Sequence, residues 1–152
     1  MDQLQVRHAA AADMHDWIAL RLALWPGDHA AQFRDDAADI LAQPQRYCAF
    51  LARDRSGAAL GLVEAAVRTD YVNGTEHSPV LYLEGIYVAE RARRQGIAKA
   101  LVRAVQAWGV ARGCLDFASD AALDNHASHA LHRALGFVET ERVVFFRKAL
   151  DD

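Results

Sequence analysis

Hydrophobic and polar positions along this chain change period repeatedly, and each change marks an element boundary. Short alternating or continuous apolar runs predict strands at Leu4 to His8, Tyr47 to Arg53 and Ala58 to Arg68, the last two forming a hairpin around Ser56-Gly57. Helical spacing predicts a first helix from an Asp13 cap through Trp25 and a second from about Ala30 to Gln43, which Pro44 ends. After a polar loop, Thr69 to Ser78, the run Val80 to Val88 is almost unbroken apolar and aromatic, as suits a central strand covered on both faces. A helix over Gly96 to Arg112, a strand over Cys114 to Ser119 and a helix from about Asn125 to Leu135 follow, then strands at Phe137 to Glu141 and Val143 to Lys148. This order predicts an α/β (α+β) chain with a mixed central β-sheet flanked by helices.

Glu84 interrupts the central run. A carboxylate buried there without partners is costly, so it is paired, neutralised or turned towards a polar cleft. Downstream, Arg91, Arg93 and Arg94 surround Gln95-Gly96, and Ile97 to Val102 opens a helix with good formers and an apolar stripe. The first N–H groups of a helix lack intrahelical acceptors and carry the positive end of its dipole. Gly96 and Ala98 leave a pyrophosphate room to approach those amides, and the arginines add charge-assisted bonds. Strand, basic turn and helix start therefore read together as a phosphate cradle. Its plainer alternative is a solvated basic turn before an ordinary helix.

Arg93, Gly96 and Ala98 match the acetyl-CoA motif of the GCN5-related N-acetyltransferases (Arg or Gln, two residues, Gly, one residue, Gly or Ala), and the chain resembles that family. The segment DNHASHALHRALGF supplies Asn125, Ser128, Leu131, Leu135, Gly136 and Phe137 at the spacing of the family's later strand and helix. The resemblance implies the GNAT fold and acetyl-CoA as co-substrate. The implied contacts are the backbone of Ile86, Tyr87 and Val88, the turn and helix start at Arg93, Arg94, Gln95, Gly96, Ile97, Ala98 and Lys99, and Asn125 with Ser128 beside the pantetheine arm.

Acetyl transfer from a thioester to an amine needs a neutral, aligned amine, a stabilised oxyanion and a protonated leaving thiolate. Glu84, two residues before Ile86, is placed to act on the amine directly or through water; its alternative is a structural salt bridge. Seven residues after Asn125, where the family often carries a Tyr as general acid, this chain has His132, which either donates the proton or packs as a helix residue. His126, His129 and His132 spread over more than about 100° of a helix and no carboxylate completes a ligand set, so no metal is expected.

At 152 residues the chain reads as one domain, 1–152, able to bury roughly two thirds of its unfolded surface. A net charge of -3, with no basic stripe beyond Arg91 to Arg94, argues against a nucleic-acid partner. Cys48 and Cys114 lie in apolar stretches without metal or redox spacing and read as reduced small hydrophobes. The start, MDQLQVRH, lacks a signal-like apolar core and no stretch is long enough to span a membrane, so the expected compartment is the cytoplasm.

Outside the cofactor motif, Trp25 with Pro26-Gly27, Tyr71 in YVNGTEHSPV, Glu84, Asp120 in FASDAALDN and Glu141 in ETERVVFFRK make the chain similar to the aminoglycoside 6'-N-acetyltransferases of that superfamily over nearly its whole length. The resemblance implies that Trp25, Tyr71, Glu84, Asp120 and Glu141 contact the drug, that resistance follows from acetylation, and that the protein is a homodimer. Carboxylates pair with the ammonium groups of polycationic amino sugars, and aromatic faces cover rings and cations. Two other readings remain: an acetyltransferase of the same fold for another amine, such as a polyamine or a protein amino terminus, and a non-catalytic acyl-CoA-binding module.

Overall fold

The structure, a computed structural model, describes residues 4–151; Met1 to Gln3, the start of the amino-terminal stretch, and Asp152 lie outside the described residues. Residues up to Asp120 form one compact unit and those from Ala121 a second. The first holds a five-stranded sheet of β1 (Gln5–His8), β2 (Tyr47–Arg53), β3 (Ala59–Arg68), β4 (Val80–Val88) and β5 (Asp116–Ser119), in that spatial order. The first four strands are antiparallel neighbours, while β5 runs parallel to β4. Three helices accompany them: α1 (Met14–Leu24), α2 (Ala30–Ala42) and α3 (Ile97–Val110).

Alternation along β3 assigns the helices to faces. Leu62 packs in one cluster with Trp17, Ile18, Leu20, Phe33 and Ala37 of α1 and α2. Its neighbour Gly61 points the opposite way, where an added Cβ would come within 3.1 Å of Leu101 and 3.3 Å of Ile97 on α3. Strands β2 to β4 are thus covered on both faces, which is why they are written in nearly continuous apolar residues. Two charged groups enter this core together: Glu64 on β3 accepts bonds from Trp17 Nε1 at 2.8 Å, Arg21 Nε at 2.8 Å and Arg21 Nη2 at 3.0 Å, while Arg21 Nη1 reaches Asp36 at 2.9 Å. Removing one partner of such a buried pair costs about 3–5 kcal/mol, so this network locks α1 and α2 to the sheet.

Most predicted boundaries hold within two residues. Asp13 precedes α1, but its carboxylate accepts from the Ala10 N–H and from Arg53 rather than capping that helix. The strand expected from Cys114 starts at Asp116; Cys114 is buried before it, as Cys48 is within β2, where burial pushes the thiol up to about 12. In the second unit α4 (His126–Ala134) forms, but the two strands expected at Phe137 to Glu141 and Val143 to Lys148 do not. Their apolar pattern is suitable, yet a strand exists only against a partner's backbone, and none of the described residues supplies one. Phe145 and Phe146 are 88% and 92% exposed as a result.

Candidate active site

The pairing of β3 with β4 matches Ala65 to Leu83 and Glu64 to Gly85, so Glu84 has no partner: it is the extra residue of a β-bulge. At the same place the pairing of β4 with β5 ends, at Leu83 opposite Ser119. From Gly85 to Val88, then, β4 has a neighbouring strand on its β3 side only among the described residues. A strand edge of this kind presents backbone donors and acceptors to any extended amide-bearing molecule. The polar interruption noticed in the sequence is the point where two central strands part.

Glu84 is paired. Arg68 Nη2, from the end of β3, donates to both of its carboxylate oxygens at 2.9 and 3.2 Å. The same guanidinium lies 3.6 Å from the centroid of the Tyr82 ring, and the Tyr82 hydroxyl donates to Asp120. Partial burial first, and the bond to Asp120 second, raise the Tyr82 hydroxyl well above the usual tyrosine range, so it stays a donor. Burial works against the charge on Arg68, but Glu84, with Tyr82 and Asp70, outweighs it and keeps the guanidinium protonated. Two acids named from the sequence, Glu84 and Asp120, thus stand at the ends of one row with Arg68 and Tyr82 between them.

Trp25 follows the end of α1 and reaches this row because Gly85 has no side chain. A Cβ on Gly85 would come within 2.7 Å of the indole Cη2 and Cζ2. Arg21, clamped by Glu64, lies 5.1 Å from the Trp25 ring. Trp25, Arg21, Glu64, Tyr47 and Glu84 line a cavity of about 350 Å³, large enough for part of a small polar molecule. The loop between β3 and β4 carries Tyr71, 78% exposed, beside Val72, which is buried against Val80 and Tyr82. Asp116 pins that loop: its carboxylate accepts from the N–H groups of Glu76 and His77 and meets His77 Nδ1 at 3.0 Å, contacts that hold it below the ordinary carboxylate range.

After β4 the chain makes a tight basic turn into α3. Arg94 and Gly96 both have left-handed backbone, with φ of +63° and +80°. Gly96 sits at the N-cap, so the succeeding amides at Ile97 and Ala98 open the helix without intrahelical acceptors. A Cβ built on Gly96 would meet no atom within 4 Å; the room above these amides suits a phosphate. Arg93, by contrast, turns back to donate to the Val88 carbonyl at 2.9 Å and lies 5.7 Å from the Tyr87 ring. Ile86, Tyr87 and Val88 are half-buried, Ile97 is buried, and Arg94, Gln95 and Lys99 are exposed.

The remaining candidates belong to the second unit. Asn125 caps α4, its Oδ1 accepting from the Ser128 N–H at 3.1 Å. His132 Nδ1 lies 2.7 Å from the Ser128 carbonyl, so Nδ1 carries a proton, and 3.3 Å from the Ser128 hydroxyl; the ring meets Phe137 edge-on at 5.2 Å. Glu141 is exposed in the segment after α4. Among the described residues no group of three His, Cys, Asp or Glu is arranged to hold a metal ion.

Sequence reasoning passed over Arg68, Tyr82, Gly85 and the Arg21–Glu64 pair. A signal existed for two of them: the period-two spacing Leu62, Glu64, Ala66, Arg68 puts both charges on one face of an apolar strand. The partners of those charges depend on register and were not readable from spacing.

The profile of the Acetyltransferase (GNAT) family matches residues 12–137. The aminoglycoside N(6')-acetyltransferase type 1 of Serratia marcescens is 54% identical over 134 residues, 88% of this chain and 91% of that protein. The apo structure of aminoglycoside 6'-N-acetyltransferase AAC(6')-IG from Acinetobacter haemolyticus superposes with a TM-score of 0.92 at 44% identity, covering 97% of this chain and 99% of that one. AAC(6')-Iy in complex with the bisubstrate analogue CoA-S-monomethyl-acetylneamine superposes with a TM-score of 0.90 at 42% identity, covering 96% and 98%. With the family profile and these relatives each spanning most of the chain, the protein belongs to the GNAT acetyltransferase family.

Proposed function

We propose that this chain transfers an acetyl group from acetyl-CoA to the 6'-amino group of aminoglycosides, and so confers resistance to them. The relatives that share 42–54% of its residues are aminoglycoside 6'-N-acetyltransferases, one of them complexed with a CoA–neamine adduct. The observation that carries the reading to this chain's own residues is the row Glu84, Arg68, Tyr82, Asp120 at the bulge, beside Trp25. It puts two carboxylates and an aromatic wall where β4 loses its β5 partner, as a polycationic sugar requires. An acetyltransferase for another amine is the second reading; a module that only bound acyl-CoA has no use for such a row.

Acetyl-CoA, when bound, supplies the activated acetyl group as a thioester. The amides opening α3 at Ile97 and Ala98, with Arg93, Arg94, Gln95, Gly96 and Lys99 around them, hold its pyrophosphate, and the open β4 backbone at Ile86, Tyr87 and Val88 pairs with its pantetheine amides. Asn125 and Ser128 serve the same arm. Trp25, Tyr71, Asp120 and Glu141 hold the drug, and Glu84 receives the ammonium and takes its proton directly or through water, so that the amine is presented neutral. His132, with Nδ1 committed to the Ser128 carbonyl, acts as the imidazolium, giving its Nε2 proton to the departing thiolate and returning to the neutral ring.

The family profile runs from residue 12 to 137, across the boundary at Asp120, which supports one catalytic domain over 1–152. Exposed Val144, Phe145 and Phe146 favour a homodimer, because a contiguous apolar segment left in water calls for a second surface. No helix among the described residues is long and apolar enough to cross a membrane; that, the two free thiols and the co-substrate fit a cytoplasmic enzyme, and the -3 net charge fits one without a nucleic-acid partner. A thiol-release assay with acetyl-CoA against a kanamycin-type drug, spermidine and a peptide amine tests the reading. Turnover with the drug far above the other two is expected; turnover only with spermidine or the peptide transfers the assignment to the second reading.

A further inference from the structure

We propose that Arg68 is an internal counter-cation: it pairs with Glu84 and yields that carboxylate to a cationic substrate, so that it sets the affinity an amine needs to bind there. The proposal rests on the reading of Glu84 as the carboxylate that receives the amine. Arg68 Nη2 bridges both carboxylate oxygens, at 2.9 and 3.2 Å, and so occupies one acceptor site on each. Two cations on one carboxylate repel each other, so an amine engaging Glu84 competes with the guanidinium for it. Displacement is easy here because both side chains are more than a third exposed, 38% for Arg68 and 35% for Glu84, and an exposed ion pair stabilises a fold little.

Arg68 does not leave the cleft when it gives up Glu84. Its guanidinium stacks 3.6 Å from the Tyr82 centroid, a second attachment that needs no carboxylate. A simple monoamine therefore exchanges one cation on Glu84 for another and gains little. A polycation that also reaches Asp120, at the far end of the same row, adds contacts that Arg68 does not compete for. Arg68 in this way sets one penalty for every amine that uses Glu84, and a polycation offsets it with its contacts at Asp120 where a simple amine has none, a role nothing in the sequence motifs assigns to Arg68.

The test is calorimetric titration of a kanamycin-type drug and of 6-amino-6-deoxyglucose into CoA-saturated wild type, Arg68→Gln and Arg68→Lys, with a crystal structure of the wild type bound to the drug. Arg68→Gln should bind the drug and the monoamine each roughly two- to fivefold more tightly, whereas Arg68→Lys should stay close to wild type. Unchanged or weaker binding of both ligands to folded Arg68→Gln overturns the proposal. In the wild-type complex Arg68 Nη2 should lie beyond 4 Å from both Glu84 oxygens. Drug bound with the pair intact overturns the proposal, however the variants fold, and leaves the enzymatic reading standing. A wild type that binds no drug at all defeats that reading and this one together.

Discussion

Glu84 combines three properties that rarely meet in one residue of a central strand: it is bulged, it is ion-paired and it sits where the sheet splits. Two kinetic roles can be separated there. As the group that takes the amine's proton, Glu84 should contribute about 10²- to 10⁴-fold to the chemical step. Glu84→Gln, nearly the same shape without the basicity, is expected to slow acetyl transfer by that order, with the residual rate climbing with pH as neutral amine becomes available. Pre-steady-state measurement of the transfer step checks this without interference from slow product release. A step at the wild-type rate, with only drug affinity changed, reduces Glu84 to an ammonium anchor.

Among elements, the decisive contacts are at the ends: α1 ends in Trp25 against Gly85 of β4, and α3 begins at Gly96. These two glycines are needed for different reasons, and in the proposed function they serve different ligands. Gly85 makes room for an indole, since a Cβ there would overlap the ring at 2.7 Å. Gly96 needs its backbone conformation, φ +80°, which costs an ordinary L-residue about 1–3 kcal/mol. Paired substitution should show the difference. Gly85→Ala is expected to raise the drug KM about tenfold by displacing Trp25 while leaving the acetyl-CoA KM unchanged. Gly96→Val should weaken acetyl-CoA binding about tenfold with the drug KM unaffected. Both constants moving together in either folded variant would falsify this division between the end of α1 and the start of α3.

For the whole molecule, the exposed segment after α4 is the outstanding feature. Val144, Phe145 and Phe146 are exposed side by side, and the proposed homodimer would cover them with a second copy. Sedimentation of the wild type at micromolar concentration should give the mass of a dimer, and Phe145→Asp with Phe146→Asp should give a monomer. A wild type that sediments as a monomer across the micromolar range ends the dimer proposal.

Residue order alone carries most of the elements. Periodicity placed every strand of the described sheet and the four described α-helices to within about two residues, and the glycine-bearing basic turn before α3 was legible because its residues are contiguous. Glu84 was legible as an anomaly for a similar reason, since one charge in an apolar run is visible without a partner. What answered the anomaly was decided only by tertiary structure. The bulge, the parting of β4 from β5 and the Glu84–Arg68–Tyr82–Asp120 row depend on which residue of one strand faces which residue of another, and a one-residue change of register would send those side chains to the other face. The same dependence explains the final segment, whose composition suits strands but whose backbone finds no partner among the described residues. Local pattern writes an element's propensity, and pairing, a property of distant residues, decides whether and where it is realised.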